Sequence, residues 1–103
     1  MEHEYRVTVS ARAARQLVAH AAFLARVNRE AAERLTAAFE EAAQSLKTMP
    51  HRGAWLRGEG LPEGKYRSLL FAGHYLLLYQ VRGENVFVEI VVDTRQDYGW
   101  LVV

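Results

Sequence analysis

From Tyr5 to Val9 the chain alternates, with Tyr5, Val7 and Val9 set against Arg6 and Thr8, the period of two that marks a half-buried strand. At Ser10 the period changes. Ser10 offers a hydroxyl at a helix N-cap, and from Ala11 the apolar positions Ala14, Leu17, Val18, Ala21, Leu24 and Ala25 fall three and four apart, so one face of a helix is apolar while Arg12, Arg15 and Arg26 are left to solvent. Asn28 is suited both to end this helix and to cap the next. Ala32, Leu35, Phe39, Ala42 and Leu46 continue the helical spacing in a second helix. Glu30 and Glu33 lie in its first turns, where the positive end of the dipole favours them, and Lys47 and Pro50 mark its end. So short a link predicts an antiparallel helical hairpin whose Ala-rich faces are buried against each other or against a sheet.

From His51 to Gly64 the pattern dissolves into a stretch with four glycines and Pro62, which reads as a loop anchored by Trp55 and Leu56. Three strands follow, Lys65 to Phe71, His74 to Arg82 and Asn85 to Val92. Ala72-Gly73 and Gly83-Glu84 supply the turns between them, so an antiparallel meander is expected. In the middle strand Tyr75, Leu77, Tyr79 and Val81 share one face and Leu76 and Leu78 the other, and an element apolar on both sides belongs at the centre of a sheet. Glu89 predicts that one face of the last strand is partly wet. The polar and aromatic tail from Asp93 to Trp100 ends in Leu101-Val102-Val103, which can close over the sheet edge. The fold class is therefore α+β, in the order β-α-α-β-β-β, with an N-terminal helical hairpin packed on a small, largely antiparallel sheet and one domain across residues 1–103.

Composition narrows the chemistry. Half of the 103 residues are apolar and 24% are charged, as in an ordinary globular domain able to bury a core. The absence of cysteine excludes disulfides, thiolate metal sites and a thiol nucleophile. His3, His20, His51 and His74 lack the spacing of a zinc site, and no carboxylate cluster suits calcium, so neither metal nor cofactor is expected. The apolar runs are too short for a bilayer, and Met1-Glu2-His3-Glu4-Tyr5 has no character of a secretory signal, so a cytoplasmic protein without membrane contact is expected. The net charge of +1 is unevenly placed. Residues 1–46 balance at zero, residues 83–103 carry −3, and residues 47–82 carry +4 from six cations against Glu59 and Glu63. An anionic partner would be drawn to the middle of the chain.

The run Tyr66-Arg67 through Tyr75-Leu76-Leu77-Leu78-Tyr79-Gln80-Val81, a short turn, and an apolar strand ending in Asp93-Thr94-Arg95-Gln96-Asp97-Tyr98 resembles the core of the RelE/ParE family of toxin–antitoxin toxins. The helix pair ending at Met49-Pro50 is similar as well, so the likeness covers nearly the whole chain. It implies a plasmid-stabilisation type of toxin that inhibits growth and is neutralised by a cognate antitoxin whose flexible segment wraps the helices and sheet. It also implies one of two targets: the ribosome with its mRNA, which RelE-like members cut, or DNA gyrase, which ParE-like members poison without chemistry of their own. Fold alone does not choose between them.

A metal-independent endoribonuclease needs a base for the 2′-hydroxyl, a cation at the phosphate and an acid for the leaving oxygen. Arg67 and Arg95 are suited to the phosphate, and His74 or Tyr98 to moving the proton. Lys65, Arg57, Arg82 and Trp100 are candidates for nucleic-acid or target binding, with Tyr98 and Trp100 able to stack on bases. Each has an ordinary alternative: surface charges for the cations, a strand-end residue for His74, chain-end packing for the aromatics, and local ion pairs holding the tail for Asp93 and Asp97 about Arg95. The resemblance places a key arginine of the nucleases at Leu76, which is apolar here. That departure favours a gyrase-directed toxin over an mRNA interferase, and leaves a binding module with neither activity as the third reading.

Overall fold

The computed structural model describes residues 3–57 and 63–95. Within them the chain forms β1 (Arg6–Val9), α1 (Ala11–Ala25), α2 (Arg29–Ser45), β2 (Ala54–Trp55), β3 (Arg67–Phe71), β4 (Tyr75–Arg82) and β5 (Asn85–Asp93). The strands make one sheet in the order β1-β5-β4-β3-β2. β1 runs parallel to β5, and the other pairs are antiparallel. The expected hairpin of helices and the meander are both present, with β4 in the middle of the sheet. β2 was not expected. It lies inside the stretch read as a loop, and two residues are too few to show any period.

The two capping positions read from the sequence do more than begin helices. The Ser10 Oγ accepts from the Ala13 N–H at 2.9 Å and donates to the Glu89 carbonyl at 3.0 Å, so it caps α1 and ties it to β5. Asn28 closes α1 by donating its N–H to the Leu24 carbonyl, and opens α2 by accepting from the Ala31 N–H.

The register of β4 against β5 slips between Leu78 and Tyr79, which pair with Ile90 and Val88 respectively. Glu89 is the extra residue of a β-bulge, and the bulge inverts which side chains of β5 face the helices. Before it, Val86 and Val88 join the core beneath the helices, with Leu35, Phe39, Leu46, Leu77 and Tyr79; after it, Val91 does so. Ile90 and Val92 turn to the opposite face and pack with Leu78, Leu76, Leu56 and Tyr66. The half-wet position expected at Glu89 is this bulge, and its carboxylate accepts from the Gln80 amide.

β1 ends at Val9, where the Ser10 N–H reaches the Val88 carbonyl. Beyond that point β5 would present unpaired backbone groups, and α1 supplies their partners. Ser10 takes the Glu89 carbonyl, and the Gln16 Oε1 accepts from the Val91 N–H at 2.8 Å. A buried amide without a partner costs about 1–3 kcal/mol. Replacing Gln16 by Ala should therefore destabilise the protein by an amount of that order, which a denaturant titration would measure; an exposed α1 position such as Arg15→Ala should cost less than about 0.5 kcal/mol.

Candidate functional site

Arg67 lies at the start of β3. The register places it opposite both Tyr79 of β4 and Trp55 of β2, so the three side chains share the face of the sheet that carries the helices. Its Nη1 donates to the carbonyls of Gly53 at 2.8 Å and His51 at 3.3 Å, and its guanidinium lies 4.0 Å from the centre of the Trp55 ring. Tyr79 is fully buried, and its hydroxyl accepts from the Gly53 N–H at 2.9 Å. Burial raises the Tyr79 pKa, with the Gly53 N–H and the nearby Arg67 and Arg52 charges pulling the other way. Arg67 and Tyr79 together fasten residues 51–55 to the sheet edge, which is why β2 exists. Gly53 is required there, because a Cβ would sit 2.7 Å from both the Ser68 carbonyl and the Tyr79 hydroxyl.

His74 sits at the other end of β3, in the turn before β4, five residues from the Tyr79 that faces Arg67 and so about 16 Å from Arg67 at roughly 3.3 Å per strand residue. Its ring packs on Tyr75 with centroids 4.5 Å apart, its Nε2 is buried without a hydrogen-bond partner, and its carbonyl accepts from both the N–H and the hydroxyl of Thr94. Arg95 is on this side too. It grips the Asp93 carboxylate through Nε at 3.2 Å and Nη2 at 3.0 Å, and its N–H donates to the same group. Burial raises the Asp93 pKa, but the side-chain and backbone bonds from Arg95, with its charge, outweigh that and hold the carboxyl below its usual range. The same pairing raises the Arg95 pKa.

The candidate cations and proton carriers are thus divided. His74 and Arg95 lie near one another at one end of the sheet, and Arg67 lies at the other. Lys65 is exposed, with its Nζ over the Tyr66 ring, and it lines a cavity of about 250 Å³ with Arg67, Trp55, His51 and Tyr79. Arg57 is exposed, two residues beyond Trp55. Arg82, at the far end of β4, donates to Gln80 and lies over Phe87. Asp97, Tyr98, Trp100 and the Leu101-Val102-Val103 end lie outside the described residues. The ion pair read for Asp93 and Arg95 is present. The tether of residues 51–55 was not foreseen, since it joins positions 14 to 26 apart that share no motif. Its one local signal is Gly53 between Arg52 and Trp55.

The family model described as the ParE toxin of the type II toxin–antitoxin system parDE matches residues 7–98. The chain belongs to the ParE toxin family. Nine chains of solved structure match it. One, from the chromosomal ParDE toxin–antitoxin system of P. aeruginosa, superposes with a TM-score of 0.72 at 18% identity, covering 89% of this chain and 98% of that one; at such an identity the shared property is the fold. No curated protein matches. This ParE-like chain is the toxin of a type II module. Its Leu76 lies on the face away from the helices, packed with Leu78, Ile90 and Val92. Core packing therefore accounts for its apolar character.

Two outcomes test this geometry. Tyr79→Phe removes the partner of the buried Gly53 N–H and should cost about 1–3 kcal/mol, lowering the melting temperature by at least several degrees in a domain of this size; Gly53→Ala should cost more. The depressed Asp93 pKa stabilises the fold above the unfolded value of about 3.9, and this contribution is lost as pH falls through the lower folded value. In Arg95→Ala, burial of Asp93 is left opposed by fewer bonds, so acid unfolding should begin at higher pH than in the wild type, read from thermal melts across pH 2–6.

Proposed function

We propose that this toxin is neutralised by a cognate antitoxin and arrests growth in the cytoplasm by poisoning DNA gyrase, with no catalytic chemistry of its own. The observation that carries the reading is the division of the candidate nuclease groups. RNA cleavage needs a phosphate-binding cation and proton carriers around one scissile bond. Here Arg67 is engaged by two backbone carbonyls at one end of β3, and His74 and the Asp93-bound Arg95 are at the other. Leu76 supports the same reading. The Arg57, Lys65 and Arg82 cations suit a target surface rather than a reaction centre.

The antitoxin reading rests on the family and on the outer face of the helical hairpin. Leu17, Val18, Ala21, Ala22, Ala25 and Ala32 line an open apolar groove of about 670 Å³, with Arg29, Glu33 and Glu40 among its lining. Small residues let a partner backbone approach closely, and an apolar floor with charges about it is the form that receives an amphipathic helix.

The test is to induce the protein alone in a bacterial host, map RNA ends, and assay the purified toxin on gyrase. Supercoiling should be blocked while the RNA stays intact. Codon-phased cuts with supercoiling unimpaired would overturn the gyrase reading in favour of an mRNA interferase, and co-expression of a cognate antitoxin should restore growth.

A further inference from the structure

The cations of this chain are not equally satisfied. Arg95 is neutralised by Asp93 and Arg34 faces Glu30, but among the described residues no carboxylate pairs with Arg52, Arg57, Lys65 or Arg67. Arg67 uses its Nη1 on carbonyl oxygens, which orient the guanidinium and leave its full charge in place. These four residues fall within the stretch carrying the positive excess, where Glu63 is the one acid among the described residues.

Trp55 stands among these charges and is 46% exposed. It is a fixed ring rather than a loose one. Its backbone is held by pairing with Arg67, the Leu56 N–H donates to the Tyr66 carbonyl at 2.8 Å, and the ring itself is stacked under the Arg67 guanidinium. The open part of the ring thus lies beside cations that have no carboxylate partner among the described residues. Arg67 and Lys65 line the same cavity as the ring, so charge and stacking surface are contiguous.

We infer that Trp55 and Lys65, with Arg67 against the ring and Arg57 two residues along the chain, form a binding site for single-stranded or locally unpaired nucleic acid, with a base stacked on Trp55 and the flanking phosphates held by Lys65 and Arg57. An acidic peptide would satisfy the charges but would have no use for a flat, rigid ring, whereas a base has a π-face and a phosphate on either side. Arg67 serves the ring from one side by cation–π contact while its charge contributes to the field that draws the strand. The inference is independent of the gyrase reading, because binding is expected with gyrase absent.

The experiment is fluorescence anisotropy of the full chain with a labelled oligothymidylate of about twenty nucleotides, long enough to span several stacking and phosphate contacts, its duplex with the complementary strand, and heparin as a competitor without bases. The single strand should bind more tightly than the duplex. Trp55→Ala should weaken it on the order of ten- to a hundred-fold while Trp55→Phe keeps most of the affinity. Lys65→Ala and Arg57→Ala, both at exposed positions, should each flatten the slope of log affinity against log salt by about 0.7, the value for one single-strand phosphate. Because those two variants remove no buried contact, the salt slopes decide the matter even if the Trp55 variants fold poorly. No binding at low salt, unchanged slopes in both cation variants, or a folded Trp55→Ala protein that binds strand and duplex like the wild type would each overturn the inference. Gyrase inhibition persisting in those cases would leave the proposed target standing.

Discussion

Everything above the sheet depends on how β5 is closed where β1 runs out. The strand is buried over most of its length, so each backbone group along it needs a partner, yet β1 covers only Asn85 to Val88. Ser10 and Gln16 complete the edge by side-chain bonds. One residue, Ser10, therefore ends a strand, begins a helix and fixes that helix over the bulge at Glu89. The placement of α1 sets that of α2 through the short turn at Asn28; α1 then covers β5, while α2 packs on β3, where the Phe39 and Phe71 rings meet.

The bulge has a second effect that bears on function. By inverting the faces of β5 it sends Ile90 and Val92 to the far side, where they need company, and Leu76 and Leu78 of β4 provide it. A charged residue at 76 would have to enter this second apolar cluster or turn away from it. The position at which the resemblance to the nucleases implies a cation is thus given over to packing, while Lys65 and Arg67 lie with Trp55 at the sheet edge. That edge is held by Arg67, which acts as a structural tie between Gly53, His51 and Trp55 as well as a source of charge.

Periodicity made most of this architecture legible. The change from period two to three and four at Ser10, the double-faced apolar character of β4, and the turns at Gly73 and Gly83 correspond to real boundaries, and both glycines adopt positive φ. The parallel pairing of β1 with β5 was not legible, because nothing local in Arg6–Val9 names a partner far along the chain. Nor was β2, a two-residue strand created by contacts from β3 and β4. Among the site residues, the charges of Arg57, Lys65 and Arg67 were visible and their grouping about Trp55 was not. His74 and Arg67 belong to the same β3–β4 hairpin, but its length of extended chain holds the two apart.

The joining of the first strand to the last also sets a timetable. Ser10 and Glu89 are 79 positions apart, so a chain growing from its N-terminus makes β1 and both helices well before their partners exist. The helical hairpin can form from local contacts, but the face of α1 that packs on β5 stays uncovered until β5 is made, and contacts of such long separation form late. Until Val91 has left the ribosome, Gln16 has nothing to hold, and a fragment stopped short of β5 is an amphipathic hairpin in search of a surface. The toxic fold therefore cannot close before β5 has been made.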